Sequence, residues 1–299
     1  MLTRILLHAA EWHRRLLMLA FCAIGPRAAY RVTAILADWL NRLMPELSSR
    51  AVRQLRQSLG ESWTDAQLQR LAAESLRHRL WNLTDLHLTP RWLTRHSYEH
   101  LGGAMPEPYL ARMLSAQRRG QPALLLTAYF GSFDLLPVLL GFNGIRAAIV
   151  YRRHRNTAFD RFRDRVRTMS GSTLIPLELA LTETPRLLES GGTVAMLVDQ
   201  PEPARGIDVV FLGRPLRVSR AVGVLAVRHG ADVAVAGLVR RGVFHFDFRV
   251  SDVIDHTDWL GETDPVAYVT RRYVGALERL VRDAPAQYLW LQERWRESR

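Results

Sequence analysis

The stretch ALLLTAYFGSFDLLPVLL, residues 123–140, decides the fold. It opens with an apolar run, residues 123–128, of a length that buried strands and helix segments share. The Gly131-Ser132 break selects the strand, because glycine marks a turn and serine caps helices well. The reading is strand, tight turn, then a helix from about Phe133. Tyr129 and Asp134, five positions apart, fall in the turn.

Outward from this stretch, strand and helix patterns alternate. Residues 146–151 and 193–198 form two further short apolar runs, and residues 173–176 a shorter one. Residues 156–169 read as a helix. Thr184-Pro185 reads as a cap plus first-turn proline for a helix ending at Gly191-Gly192. Ser219 reads as the cap of a helix ending near His229-Gly230. Residues 233–239 and 243–250 read as two strands around an Arg240-Arg241-Gly242 turn, with Phe244, Phe246 and Phe248 on one face of the second. Asp264-Pro265 starts a last helix reaching about Asp283. This order predicts an α/β fold, a mixed and mostly parallel sheet covered by helices.

Three loops follow three of the apolar strands. They carry Tyr129 and Asp134; then Tyr151, Arg152, Arg153, His154, Arg155 and Asn156; then Asp199 and Gln200. If the strands are parallel, the loops meet at one sheet edge, where ligands of such sheets bind. The expected site mixes acid, guanidinium and amide groups. No His/Asp/Glu cluster has metal spacing, no glycine-rich phosphate loop is present, and Gly131-Ser132-Phe133 lacks the G-x-S-x-G elbow.

The chain has 299 residues, enough for a sizeable core, with 41 basic and 29 acidic residues and a net charge of +12. There is no lysine, so all basic side chains are arginine. Nucleic acid, an anionic membrane surface or an acidic protein could each account for the excess. Nucleic acid is set aside for want of any reading motif. The single Cys22 excludes an internal disulfide and a multi-cysteine zinc site.

Before the central stretch the pattern is helical. Residues 16–24, LLMLAFCAI, are nine apolar residues between Arg14-Arg15 and Gly25-Pro26, too few alone for a span of about 20. Val32, Ile35, Leu36, Trp39, Leu40 and Leu43 continue at helical spacing on one face. An interfacial helix, a helix packed on the protein's own core and a tilted partial insertion all fit. Residues 1–45 are read as membrane-interface helices and 46–299 as the α/β domain with a helical part at 46–120. Within it, residues 50–59 are amphipathic, and residues 62–65 offer caps for a helix over 66–86. Thr89-Pro90 closes that segment.

The central stretch resembles block I of the lysophospholipid acyltransferase superfamily, and most closely the bacterial lipid A late acyltransferases. Their block reads roughly T-A-H-F-G-N-W-E, where this chain has T-A-Y-F-G-S-F-D. The acid is kept as Asp134, and Tyr129 stands where the family has histidine. Tyr151, Arg152 and Asn156 match a Y-R-P-x-x-N-P block, with Arg153 and Thr157 departing. Arg167, Gly171 and Ile175-Pro176 match a following R…G…I-P. Asp199-Gln200 matches a D-Q segment, FLGRP at 211–215 an F-F-G-R-P, and APAQYLWLQERWR at 284–296 the family's tail.

The resemblance implies a membrane-associated acyltransferase on the cytoplasmic face of the bacterial inner membrane. It would move a fatty acyl chain from an acyl carrier protein or coenzyme A thioester to a hydroxyl of a lipid or lipid-linked sugar. No cofactor or metal is implied, since the thioester carries the activation. The alternative is a weakened or inactive relative that binds acyl lipid or acyl carrier protein as a scaffold. Tyr129 and Asp134 are the implied catalytic pair. Arg152, Asn156, Arg167, Asp199 and Gln200 are implied substrate contacts; Asp199 could orient Arg152 or, as a loop residue, equally cap a turn. His154 is a possible alternative base.

The tyrosine changes the chemistry expected at that position. Histidine titrates near neutrality and suits a base for the acceptor hydroxyl. Tyrosine, with a reference pKa near 10, is about one part in a thousand ionised at neutral pH. It is a fair hydrogen-bond donor and a poor base unless strongly perturbed, and judged alone it reads as a buried aromatic with its hydroxyl satisfied.

Overall fold

The structure, a computed structural model, describes residues 2–60, 63–153, 157–202, 206–292 and 294–295; for residues 2–18, 157 and 158 only the backbone course is described. Helix α1 (Leu2–Leu43) is bent at Gly25, where φ is 77° and Pro26 follows. Helices α2 (Pro45–Leu59), α3 (Asp65–Trp92) and α4 (Glu107–Arg118) lead to strand β1 (Ala123–Thr127). Then come α5 (Leu136–Phe142), β2 (Ala147–Tyr151), α6 (Thr157–Thr168), β3 (Thr173–Pro176), α7 (Ala180–Glu189) and β4 (Thr193–Leu197). A hairpin of β5 (Gly206–Phe211) and β6 (Arg214–Ser219) precedes α8 (Ala221–His229), β7 (Asp232–Gly242), β8 (His245–Ile254) and α9 (Pro265–Asp283).

The main sheet runs β3-β2-β4-β1-β7-β8. Its first five strands are parallel, and β8 returns antiparallel beside β7. This is the mixed, mostly parallel α/β sheet that the alternation predicts. Both faces of β1 are buried: Leu124 and Leu126 join a core with α8 and α9, and Ala123 and Leu125 one with α5 and α6. Continuous apolar strands, rather than alternating ones, are what a sheet covered on both sides requires. Apolar residues of α3 join both cores, Leu68 and Leu71 the first, Leu86 and Leu88 the second.

Several expectations are corrected. Ser132 makes no side-chain cap; residues 133–135 form a 3₁₀ turn and α5 starts at Leu136. The Ser132 hydroxyl is instead drawn into a buried bond to Asp85 at 3.0 Å. Helix α3 passes Pro90 to Trp92, because in a last turn the missing N–H costs one bond and Leu93 N–H still closes onto Thr89 O. Its start is set by Thr64, in a capping box with Gln67. Helix α7 begins at Ala180, so Pro185 lies inside it rather than at its first turn.

The β7–β8 hairpin turns at Val243-Phe244, and Arg240 and Arg241 lie in β7. Strands β5 and β6 were not expected at all. Their two-residue connection, Leu212-Gly213, has positive φ at both residues (54° and 75°), the mirror-image turn that tight hairpins use. A leucine in that place hides the turn signal that Asn-Gly would give.

Candidate functional site

Because β2, β4 and β1 are parallel neighbours, the loops that follow them leave the sheet at one edge. The turn after β1 is fixed by its backbone. Gly131 has φ 57°, and a Cβ there would sit 1.9 Å from Leu238 O. Only glycine lets the turn press against β7 this closely. Gly131 N donates to Gln287 O at 2.9 Å, Ser132 N to Leu238 O at 2.8 Å, and Leu289 N to Tyr129 O at 3.0 Å. The turn is thus wedged between β7 and the chain's last segment.

At this edge lies a cleft. Tyr129, Phe133, Arg152, Arg163 and Arg167 supply its polar and aromatic side, and residues such as Leu136, Ile149 and Leu197 its apolar wall. Tyr129 sits edge-on to Phe133, ring centres 5.0 Å apart. Its hydroxyl accepts a bond from Gln200 Nε2 at 3.3 Å, and its backbone N–H donates to Asp199 Oδ2 at 3.3 Å. Burial first, then the negative charges of Asp199 and Asp134, push the phenol's pKa above its ordinary value. The hydroxyl is therefore protonated at neutral pH and serves as a donor.

Asp134 is buried and clamped by two guanidiniums of α6, Arg163 Nη2 at 2.8 Å and Arg167 Nη2 at 2.6 Å, both on Oδ1. Burial opposes its charge, but the two arginines outweigh burial and hold the carboxyl well below the usual range. Arg163 and Arg167 are four residues apart on α6, one helical face. The Arg167 guanidinium also lies 5.8 Å from the Tyr151 ring centre.

Asp199 is buried at the end of β4 and bonds Arg294, Nη2 to Oδ2 at 2.6 Å. It does not orient Arg152, which is exposed at the rim of the cleft. Arg294 in turn lies over the Tyr288 ring, 4.0 Å from its centre. This pins the tail beneath the turn that carries Tyr129.

The structure brings Tyr129, Arg152 and Arg167 to one cleft, places Asp199 and Gln200 against Tyr129, and holds Asp134 behind Arg163 and Arg167. Asn156 and His154 lie outside the described residues. Sequence reasoning missed Arg163, whose signal was its spacing from Arg167. It also missed Arg294, which lay unused in the ERWR tail. Arg240, assigned to a turn, is fully buried; it bonds Asp85, with Asn82 at 2.6 Å and Ser132 at 2.7 Å. Among the described residues one group of acid and histidine side chains could hold a metal, Asp232, Asp255 and His256. Arg112 already pairs with both of its acids, 2.6 Å from Asp255 and 3.6 Å from Asp232. Asp232 begins β7, at the opposite end of the sheet from the cleft.

A family model described as bacterial lipid A biosynthesis acyltransferase matches residues 2–297. The chain belongs to that family. Compared with curated proteins one by one, it has no match. The cleft of this lipid A biosynthesis acyltransferase family member brings together an apolar wall, a protonated hydroxyl and fixed positive charge. The FLGRP segment, matched in sequence to the family, packs away from the cleft's wall. Phe211 stacks on Trp295 and Arg214 lies over the same ring, so this segment anchors the tail.

Proposed function

We propose that this chain transfers a fatty acyl chain from an acyl carrier protein or coenzyme A thioester to a hydroxyl of a lipid or lipid-linked sugar. It works at the cytoplasmic face of the inner membrane, with residues 1–45 on the membrane and residues 46–299 carrying the chemistry. One observation carries the reading: the protonated Tyr129 hydroxyl shares a cleft with Arg152, Arg163, Arg167 and an apolar wall. The acceptor oxygen attacks the thioester carbonyl carbon, the C–S bond breaks, and the thiol leaves with the hydroxyl proton. Tyr129 donates to the carbonyl oxygen as negative charge develops there, with the arginines behind it. It replaces the base that the family's histidine would supply with a donor. Losing a general base costs about 10²–10⁴ in rate, so the reaction runs slowly.

The membrane reading is supported by Leu19–Leu43, a stretch of α1 long and apolar enough, by length and composition, to cross a bilayer. Ala29, Tyr30, Thr33 and Ala37 pack inward, and Val32, Ile35, Leu36 and Trp39 face out. Removing residues 1–45 moves the protein from the membrane to the soluble fraction. Full-length protein that is already soluble at low salt ends the interfacial reading.

A second reading, a scaffold that binds acyl lipid or acyl carrier protein without turnover, is favoured by the engagement of Asp134 with two arginines. Mass spectrometry of lipids from cells with and without the protein separates the two. A missing acyl species names the product and supports transfer. Identical lipids and no thioester consumption by purified protein sink the enzymatic reading.

A further inference from the structure

A second pocket, of about 650 Å³, opens between α1, α3 and the tip of the β7–β8 hairpin. Its lining includes four arginines, Arg27, Arg31, Arg240 and Arg241, and no acidic residue. Arg240 is spent on the buried network beneath, and Arg241 shares Asp247 at 2.9 Å. Arg27 and Arg31 are exposed and have no ion-pair partner among the described residues. They lie one helical turn apart, their charges directed to the same pocket.

The walls are aromatic. Tyr30 and Trp81 stack with ring centres 5.4 Å apart, and Trp81 Nε1 donates to Tyr30 O at 3.1 Å. His78 adds no charge. Burial and then Arg240 push its pKa down to about 3, and its Nδ1 meets Arg240 Nη1 at 2.7 Å. The positive field of the pocket is therefore that of guanidinium alone, at any physiological pH.

The position of the pocket names its ligand. Residues 27, 31 and 34 form one stripe of α1. Val32, Ile35, Leu36 and Trp39 form the neighbouring stripe, about 100° round the helix. These four are 52–61% exposed (52%, 60%, 52% and 61%). Across the pocket, Val243 at the hairpin tip is 43% exposed. An occupant meets two guanidiniums with no ion-pair partner among the described residues, and exposed apolar side chains on the neighbouring stripe of α1. Guanidinium favours phosphate, and the apolar stripe favours acyl chains.

We propose that this pocket binds the phosphate headgroup of an anionic phospholipid whose chains lie along the outer stripe of α1. The site is distinct from the cleft at Tyr129. It rests on the reading that the chain works at a membrane, and not on turnover at that cleft.

The test titrates full-length protein with a short-chain phosphatidylglycerol below its micelle concentration, by calorimetry. Phosphatidylcholine of the same chain length and free glycerol phosphate are the comparison probes. The expected result is saturable binding of phosphatidylglycerol, with both comparison probes at least tenfold weaker. Arg27→Gln/Arg31→Gln loses at least tenfold in affinity for it. Arg118→Gln/Arg119→Gln, which removes equal charge from the exposed end of α4, changes affinity less than threefold. Because Arg27 and Arg31 are exposed, the double variant keeps the wild-type melting temperature. Equal loss in both double variants overturns the proposal in favour of diffuse charge attraction. Glycerol phosphate binding as tightly as the lipid overturns the lipid assignment. Failure of lipid binding with transfer activity intact sinks this proposal alone and leaves the proposed function standing.

Discussion

Asp134 and Asp199 are both buried acids that follow parallel strands at the same sheet edge, and both are held by arginine. They do different work. Asp134 gathers Arg163 and Arg167, whose side chains keep 11% and 7% exposure toward the cleft. Asp199 meets Arg294 in a pair with 1% and 0% exposure, and ties the tail to the Tyr129 backbone. The first acid holds two guanidiniums at the wall of the cleft; the second staples the turn in place. Two similar sequence signals, an acid just past an apolar strand, thus resolve into a site element and a structural one by whether water reaches the partner.

Asp199→Ala leaves the Arg294 charge buried without its partner and lowers unfolding free energy by about 3–5 kcal/mol, read by denaturant unfolding. A loss below about 1 kcal/mol would mean that the tail is not stapled there. Asp134→Asn costs less, about 1.5–3 kcal/mol, the scale of hydrogen bonds to a charged group, because its arginines can turn to water in the cleft.

The pH dependence follows from the direction of the shift. The folded Asp134 carboxyl titrates below its unfolded value, so its contribution is whole above about pH 4. The stability gap between wild type and Asp134→Asn therefore narrows as pH falls below about 4 toward the folded value. A gap that is constant with pH would show that the clamp carries no linkage. Arg163→Gln or Arg167→Gln alone costs about 1.5 kcal/mol, the low end of the same scale, since the other arginine still meets Asp134. The double variant costs more than the sum of the two, and simple additivity would show that the arginines do not share the acid.

The sheet was legible because short apolar runs alternated with helical patterns along residues 121–250, and the loop argument needed only that the strands be parallel. The end of α9 and the bounds of β3 followed directly. What stayed hidden depended on tertiary partners. Arg240 looks like a turn residue because two arginines and a glycine usually are one; only the buried Asp85, far away in sequence, draws it into β7. Ser132 looks like a cap, yet the same network claims its hydroxyl. Asp199 looked ready for Arg152, but Arg294 reaches it from the tail. Leu212 conceals a hairpin because leucine rarely takes positive φ. Arg163 was within reach, as spacing alone puts it beside Arg167.

The central claim is that the cleft acts through a protonated hydroxyl at 129. It is tested by acyl transfer from one acyl thioester, comparing wild type with Tyr129→Phe and Tyr129→His under one set of conditions. Removing the donor in Tyr129→Phe lowers the rate about 10²-fold or more, the size of a lost oxyanion donor. Phenylalanine keeps the edge contact with Phe133, so stability changes little. Histidine, smaller than tyrosine and close to an acid held in its charged form, supplies a base worth about 10²–10⁴ while giving up the phenol donor, so Tyr129→His turns over well above Tyr129→Phe. A wild type that turns over and is matched by Tyr129→Phe would contradict the account and place the chemistry at another residue.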